Sequence, residues 1–134
     1  MGSAGSDASS STSPDGSVTL ERNSDGHFYA DARVNGAPIR FLVDTGATGV
    51  ALARDDAQRA GIPYSSSESE VIGQGASGEV RGMPVSLERI SLGHKEAVEL
   101  PAVILEGSEQ SLLGQNFLRR FGSVSIEDDR MVLR

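Results

Sequence analysis

The chain has 134 residues, the length of one ordinary domain, and a formal net charge of −7 at pH 7. This acidic balance argues against nucleic acid as a partner, because surfaces that bind phosphates are normally basic. The sequence contains no cysteine, which excludes disulfides and thiolate metal sites, and no run of about 18 apolar residues that would predict a membrane-spanning helix.

Residues 1–16 differ in composition from the rest of the chain. They are mostly Ser, Gly, Ala and Asp, which cannot bury enough apolar surface to offset the entropy lost on ordering. We therefore predict a flexible tail over 1–16, in which MGSAGS resembles an expression scar, and a single folded domain over 17–134. No signal-peptide pattern is visible.

The folded part begins with a strand, SVTLER, and a turn, NSDG. The next segment, HFYADARV, alternates apolar and polar residues with the period of a half-buried strand. Asn35 and Gly36 then predict a tight hairpin, because a type I′ turn needs positive φ at both central positions. IRFLV is the returning strand. In ALARDDAQRAGIP the period becomes helical, with Leu52, Ala53 and Ala57 on one side, which predicts a short helix.

The second half reads as further strands. ESEVIGQGASGEVRGMPVSLERISLG predicts a long hairpin with GQGASG at its tip, and AVELPAVILE predicts a buried strand. SLLGQNFLRRFG predicts a second short helix, and SVSIEDDRMVLR a closing hairpin. The chain thus predicts seven or eight strands and two short helices, and its sixteen glycines and five prolines are typical of an all-β fold with many turns.

Two patterns suggest chemistry that the context does not support. GQGASG spells G-x-G-x-x-G, but a dinucleotide site needs a helix directly afterwards. Here EVRGMPVSL follows, which is strand-like, so we predict a flexible hairpin tip. His27 and His94 stand alone, whereas a metal site gathers several ligands. We therefore predict surface histidines, no metal site and no cofactor.

Asp44 is the strongest candidate for a functional residue. It follows the apolar run FLV, and an apolar surround penalises a charged carboxylate that has neither partners nor a function. An Asp-Thr-Gly sequence can be an ordinary turn. In this chain, however, VDTGAT is followed by a glycine-rich hairpin and, some 68 residues after Asp44, by SLLGQNFL. Together these segments resemble the retropepsin-like aspartic proteases, over about residue 17 to the C-terminus, and are most similar to the single-domain bacterial members.

The resemblance implies an all-β fold: a single-lobe closed β-barrel or sandwich with a glycine-rich flap hairpin and one or two short helices. It also implies an aspartic endopeptidase acting on polypeptides. Such catalysis needs two carboxylates about 3 Å apart that share one proton. The only internal echo of FLVDTG is AVILEG, whose Glu106 is longer and lacks the Thr. The second carboxylate should therefore be Asp44 of a second copy in a homodimer.

The same resemblance implies roles for the residues around Asp44. Thr45 should brace the partner loop, Gly46 should let its backbone approach the carboxylate, and Ala47 stands where pepsin-like relatives often carry a hydroxyl. The expected packing motif beneath the loop is Leu112, Leu113 and Gly114. The expected flap, which should close over peptide, consists of Ile72, Gly73, Gln74, Gly75, Ala76, Ser77 and Gly78.

Where retroviral members carry an Arg that contributes to the dimer, this chain has Gln115 and Asn116, so the resemblance does not specify the dimer contacts. Two other functions stay open: a catalytically silent protease-like module for peptide binding or dimerisation, and an unrelated small β-barrel that binds a small molecule. The resemblance to bacterial members favours a periplasmic or membrane-anchored exported location, with any anchor upstream of this sequence.

Overall fold

The computed structural model describes residues 10–76 and 78–134. Eleven strands run through this part of the chain: Ser10–Thr12 (β1), Val18–Glu21 (β2), Tyr29–Val34 (β3), Ala37–Val43 (β4), Val50–Leu52 (β5), Glu70–Gly75 (β6), Gly78–Leu92 (β7), Lys95–Leu105 (β8), Ser111–Leu113 (β9), Val124–Glu127 (β10) and Arg130–Leu133 (β11). The helices are Arg54–Arg59 (α1) and Gln115–Leu118 (α2), with a 3-10 turn at Ser66–Glu68. The predicted all-β class with short helices is confirmed, but the predicted number of strands was too low.

A four-stranded antiparallel sheet joins the two ends of the described chain, in the order β1-β2-β11-β10. Its first strand overlaps the segment we expected to be a flexible tail: residues 10–12 pair with Val18–Leu20 of β2. Residues 1–9 of that expected tail lie outside the described residues.

The larger sheet has seven strands in the order β3-β4-β9-β5-β8-β7-β6, and an additional pairing of β3 with β7 closes it on itself. Most neighbours are antiparallel, but β4 runs parallel to β9 and β5 runs parallel to β8. Strand β9, which is distant in sequence from both neighbours, therefore lies between β4 and β5. The β3–β7 pairing that closes the sheet does not include β6, which forms a hairpin with β7.

The core fills the inside of the closed sheet with aliphatic side chains and phenylalanines. Along β3 and the residue before it, every second side chain is buried, as the alternation predicts: Phe28, Ala30, Ala32 and Val34. Asn35 and Gly36 take positive φ values of 51° and 89°, which confirms the predicted tight turn. The largest fully buried side chains include Phe41, Phe117, Leu52 and Ile104.

Two local predictions were wrong about where elements begin. The first helix starts at Arg54 rather than near Leu52, because Val50–Leu52 pair with β8 and β9 as a strand. Likewise Ser111–Leu113, predicted as the start of a helix, form β9. Over residues 10–76 and 78–134, neither helix has the length and apolar character needed to cross a membrane.

Candidate active site

Asp44 lies at the point where β4 leaves the sheet, and it starts a tight loop. Its backbone N–H donates to the Leu113 carbonyl at 3.0 Å, and its own carbonyl accepts from the Ala47 N–H at 3.0 Å. The Gly46 N–H donates to Asp44 Oδ1 at 3.0 Å. The carboxylate is half-buried, whereas Thr45 and Gly46 are exposed. The loop therefore presents one oriented carboxylate at the surface of this chain.

Gly114 lies directly beneath this loop. A Cβ at position 114 would stand 2.2 Å from the Gly49 carbonyl oxygen and 2.8 Å from that of Ala47. Only a residue without a side chain allows β9 and the loop to approach this closely. Leu112 and Leu113 precede it in β9, paired with Leu42 and Val43 of β4. Leu113 is fully buried, and Leu112 is half-buried on the opposite face of the strand.

The first residues of α2 hold the other side of the loop. The Gln115 N–H donates to the Ala47 carbonyl, and the Asn116 N–H donates to the Thr48 carbonyl, both at 2.9 Å. The Gln115 side chain also donates through Nε2 to the Thr45 carbonyl at 2.9 Å. A helix begins with N–H groups that lack partners within the helix. In this chain the carbonyls of the Asp44 loop supply those partners.

An open cleft of about 820 Å³ runs beside the loop. Its floor is the outer face of β9, β5 and β8, which carries Leu112, Ala51, Val103 and Leu105, while Leu52 and Ile104 on the other face belong to the core. Over the described residues, no charged side chain lines the cleft: the lining consists of Ala47, Thr48, Gly49, Val50, Ala51, Ile72, Gly73, Gln74, Val80, Pro84, Val85, Pro101, Ala102, Val103, Leu105, Leu112 and Asn116. Such a lining suits uncharged, apolar groups.

The β6–β7 hairpin forms one wall of this cleft. Ile72, Gly73 and Gln74 line it, and the β6–β7 register shifts between Val71 and Gly73, which leaves Ile72 as the bulged residue. A bulge re-aims a side chain. Of the other predicted flap residues, Gly75, Ala76 and Gly78 lie at the exposed end of the hairpin, where Gly78 has a φ of 121°. Ser77 lies outside the described residues.

Sequence reasoning missed several residues that line the cleft, above all those of β5, β7 and β8 and Asn116. The signal for the strand residues was present, since apolar residues on both faces of a strand indicate a covered outer face. No such signal marked Asn116. Its side chain donates to the Pro101 carbonyl at 3.0 Å, and its Oδ1 is buried without a hydrogen-bond partner in the part of the chain that the structure describes.

Glu106, the other carboxylate that follows an apolar strand, lies elsewhere. It accepts a hydrogen bond from the Tyr64 hydroxyl at 3.0 Å, and the Arg54 guanidinium stacks over the Tyr64 ring at 4.4 Å. These residues line a separate polar cavity of about 790 Å³ beside α1. Glu106 is therefore not a second carboxylate for the Asp44 loop.

The two histidines stand apart from the cleft, and both are exposed. His94 packs against Gly16, where a Cβ would clash with its ring. Within residues 10–76 and 78–134, no group of three His, Asp or Glu side chains is placed to hold a metal ion.

Residues 30–120 match the family described as "gag-polyprotein putative aspartyl protease". Among solved structures, the fold is similar to the crystal structure of a retropepsin-like aspartic protease from Rickettsia conorii, with a TM-score of 0.72 and 31% identity, covering 94% of this chain and 91% of that one.

Two uncharacterised curated proteins are similar in sequence. One, from Rickettsia prowazekii, is 35% identical over 118 residues, which cover 88% of this chain and 51% of the relative. The other, from a Sinorhizobium species and described by its position in the cobV 5′ region, is 34% identical over 119 residues, which cover 87% of this chain and 51% of the relative. The chain thus spans about half the length of these relatives.

Proposed function

Since the chain belongs to the retropepsin-like aspartic protease family, we propose that it is an endopeptidase whose active form is a homodimer with one Asp44 from each copy. The observation that carries this proposal is the Asp44 carboxylate itself. It is held by the Gly46 N–H at 3.0 Å and stands beside an uncharged cleft large enough for peptide side chains.

The need for a second copy follows from the placement of the carboxylates. An aspartic protease uses two carboxylates that share a proton, and the described chain offers one such loop. Glu106 is engaged by Tyr64 beside the other cavity. Because Thr45 and Gly46 are exposed, a two-fold axis beside the loop can bring the two Asp44 carboxylates together. In that arrangement Thr45 would brace the partner loop.

In the proposed reaction, the ionised carboxylate of the pair takes a proton from a water molecule, whose oxygen attacks the scissile carbonyl carbon. The protonated carboxylate donates to the carbonyl oxygen. Collapse of the tetrahedral intermediate breaks the C–N bond. The proton taken from water passes to the leaving amine, and one hydroxyl of the intermediate returns its proton to the carboxylate pair as the C=O bond reforms. One water is consumed, and an acid and an amine are released.

The substrate proposed for this site is an extended polypeptide with uncharged side chains near the scissile bond. It would lie between the floor strands and the β6–β7 hairpin, held by main-chain hydrogen bonds as an added strand. The hairpin would act as a flap, since Gly73, Gly75 and Gly78 have no side chains and leave its backbone free to bend. Ile72, which faces the cleft, would cover the peptide.

Cleavage of a diverse peptide library at several pH values tests the proposal, with Asp44→Ala as control. Cleavage by the wild type and none by the variant is expected. A pepstatin-like transition-state mimic that binds without any peptide turnover would instead indicate a silent peptide-binding module. Neither binding nor turnover would overturn the proposed function.

We also propose, from the similarity to bacterial relatives, that the protein acts outside the cytoplasm, in the periplasm or anchored to a membrane by a segment outside this sequence. Fractionation of source cells with an antibody against residues 17–134 tests this. Recovery in the cytoplasmic fraction alone would contradict it.

A further inference from the structure

We infer that Gln115 is a positioning residue for the Asp44 carboxylate and acts through the peptide group between Thr45 and Gly46. The inference deepens the proposed function and rests on it. Gln115 does not line the cleft, so its role is separate from substrate binding.

A continuous chain of hydrogen bonds links Gln115 to the Asp44 carboxylate. Gln115 Nε2 donates to the Thr45 carbonyl oxygen at 2.9 Å, and the Gly46 N–H donates to Asp44 Oδ1 at 3.0 Å. The Thr45 carbonyl and the Gly46 N–H belong to one trans peptide group, so they point in opposite directions from the same plane. Gln115 therefore fixes the plane that carries the donor to the carboxylate.

This peptide plane needs an external support. Gly46 has no Cβ, and among the described residues other than its two chain neighbours, only Asp44 Oδ1 would lie within 4 Å of a Cβ placed there. Its backbone can therefore adopt conformations closed to other residues. Gln115 binds the loop at two points. Its backbone N–H donates to the Ala47 carbonyl, and its side chain donates to the Thr45 carbonyl. Without the side-chain bond, the backbone anchor remains but the plane is free to tilt.

The consequence for the reaction is electrostatic. A hydrogen bond donated to a carboxylate favours its charged form, and linked hydrogen bonds polarise one another. If the plane tilts, the ionised member of the Asp44 pair loses part of its stabilisation. The acid limb of the pH–rate profile should then move to higher pH, and kcat should fall. KM should stay nearly constant because the cleft lining is unchanged.

Gln115→Met tests this, since methionine has a similar length and shape but no N–H donor. We expect kcat to fall about three- to tenfold, the acid limb to rise by about half a pH unit, and KM to change less than about twofold. Gln115→Arg, which retains donors, should recover most of kcat. The matched control is Gln110→Met, because Gln110 Nε2 also donates to a backbone carbonyl, that of Ser111 at 3.0 Å, away from the loop. It should leave kcat and the pH profile unchanged.

Amide NMR gives a readout that does not depend on turnover. In Gln115→Met, the Gly46 amide should change its chemical shift and exchange about three- to tenfold faster with solvent, with the melting temperature nearly unchanged. If methionine disturbs the fold, Gln115→Ala replaces it. Wild-type kcat and pH profile in a folded Gln115 variant, an unchanged Gly46 amide, or an equal effect of Gln110→Met would each overturn the inference. Absence of cleavage by the wild type would overturn the proposed function instead, and the Gly46 amide would still decide the role of Gln115.

Discussion

Asp44 and Glu106 both follow an apolar run and both have a glycine within the next two residues, yet their surroundings in the structure differ. The Asp44 loop is held from below by Gly114 and from the side by α2, and its carboxylate accepts from a backbone N–H. Glu106 instead accepts from a side chain, the Tyr64 hydroxyl, at the edge of a polar cavity. An apolar strand before a carboxylate thus does not by itself determine the surroundings of that carboxylate. The two carboxylates differ in the backbone that holds their loops.

Removing each carboxylate gives the largest contrast. Asp44→Asn keeps the size of the side chain but cannot ionise, so kcat/KM should fall about a thousandfold or more. Glu106→Gln keeps an acceptor for the Tyr64 hydroxyl and should change kcat/KM by less than about threefold and stability by less than about 1 kcal/mol. Steady-state kinetics and thermal unfolding of both variants measure this. Equal losses of activity would erase the distinction between the two loops.

The second largest contrast is expected in stability, between alanine substitutions of a glycine beneath the Asp44 loop and a glycine next to Glu106. Gly114→Ala would place a Cβ 2.2 Å from the Gly49 oxygen, which should lower the free energy of unfolding by about 3 kcal/mol or more. At Gly107, next to Glu106, such a Cβ would have no atom within 4 Å over residues 10–76 and 78–134, apart from its chain neighbours. Gly107→Ala should stay within about 1 kcal/mol of wild type. Denaturant unfolding compares the two, and a stable Gly114→Ala protein would argue against the close approach of β9 and the loop.

A smaller effect is expected from a substitution at Ala47, which tests how hydrogen bonds to Asp44 influence the pH–rate profile. Ala47 has no hydroxyl, so it cannot donate to the carboxylate pair. Ala47→Ser adds a donor that favours the charged form, and the alkaline limb of the pH–rate bell should move to lower pH by about 0.5 to 1 unit. The profile of kcat/KM against pH, with a substrate that has no titrating group, shows this. An unmoved limb would mean that position 47 does not influence the pair.

The smallest effect concerns an exposed carboxylate far from the site. The Tyr29 hydroxyl, 2.6 Å from Asp25 Oδ2, lowers the pKa of Asp25, and the His27 backbone N–H adds to the shift. A lowered pKa stabilises the fold above the unfolded value, and this contribution is lost as pH falls through the folded value. Tyr29→Phe should therefore raise the pKa of Asp25, with a slight loss of stability at neutral pH and none in strong acid. Carboxyl NMR titration measures the shift, and an unchanged titration would remove the hydroxyl as its cause.

Sequence patterns predicted those parts of the fold whose determinants are local. The alternation through Phe28 and Ala30 and the Asn35-Gly36 turn were confirmed, because side-chain period and backbone φ are properties of neighbouring residues. The strands β5 and β9 were missed, since each has three residues and forms only by pairing with partners distant in sequence. A helical interpretation of Leu52 and Leu113 was locally reasonable and was overridden by these pairings.

The candidate site, like the fold, could be predicted from the sequence only where its determinants are local. Asp44 and the glycine-rich hairpin can be found from motifs, because their residue types carry the signal. The bonds from Gln115 to Thr45 and from Asn116 to Pro101 span 70 and 15 residues, and an amide side chain gives no sequence signal for which carbonyl it will reach. These contacts, which hold the loop and one wall of the cleft, could come only from the folded structure.

In the proposed dimer, two copies of Asp44 share one active site. Mixing wild-type protein with Asp44→Asn at constant total concentration tests it directly, in enough salt to screen the repulsion between chains of net charge −7 each. If only dimers with two Asp44 carboxylates cleave peptide, activity falls with the square of the wild-type fraction, to about a quarter in an equal mixture. Activity proportional to the wild-type fraction, about half in that mixture, would mean that a single chain is sufficient and would contradict the account.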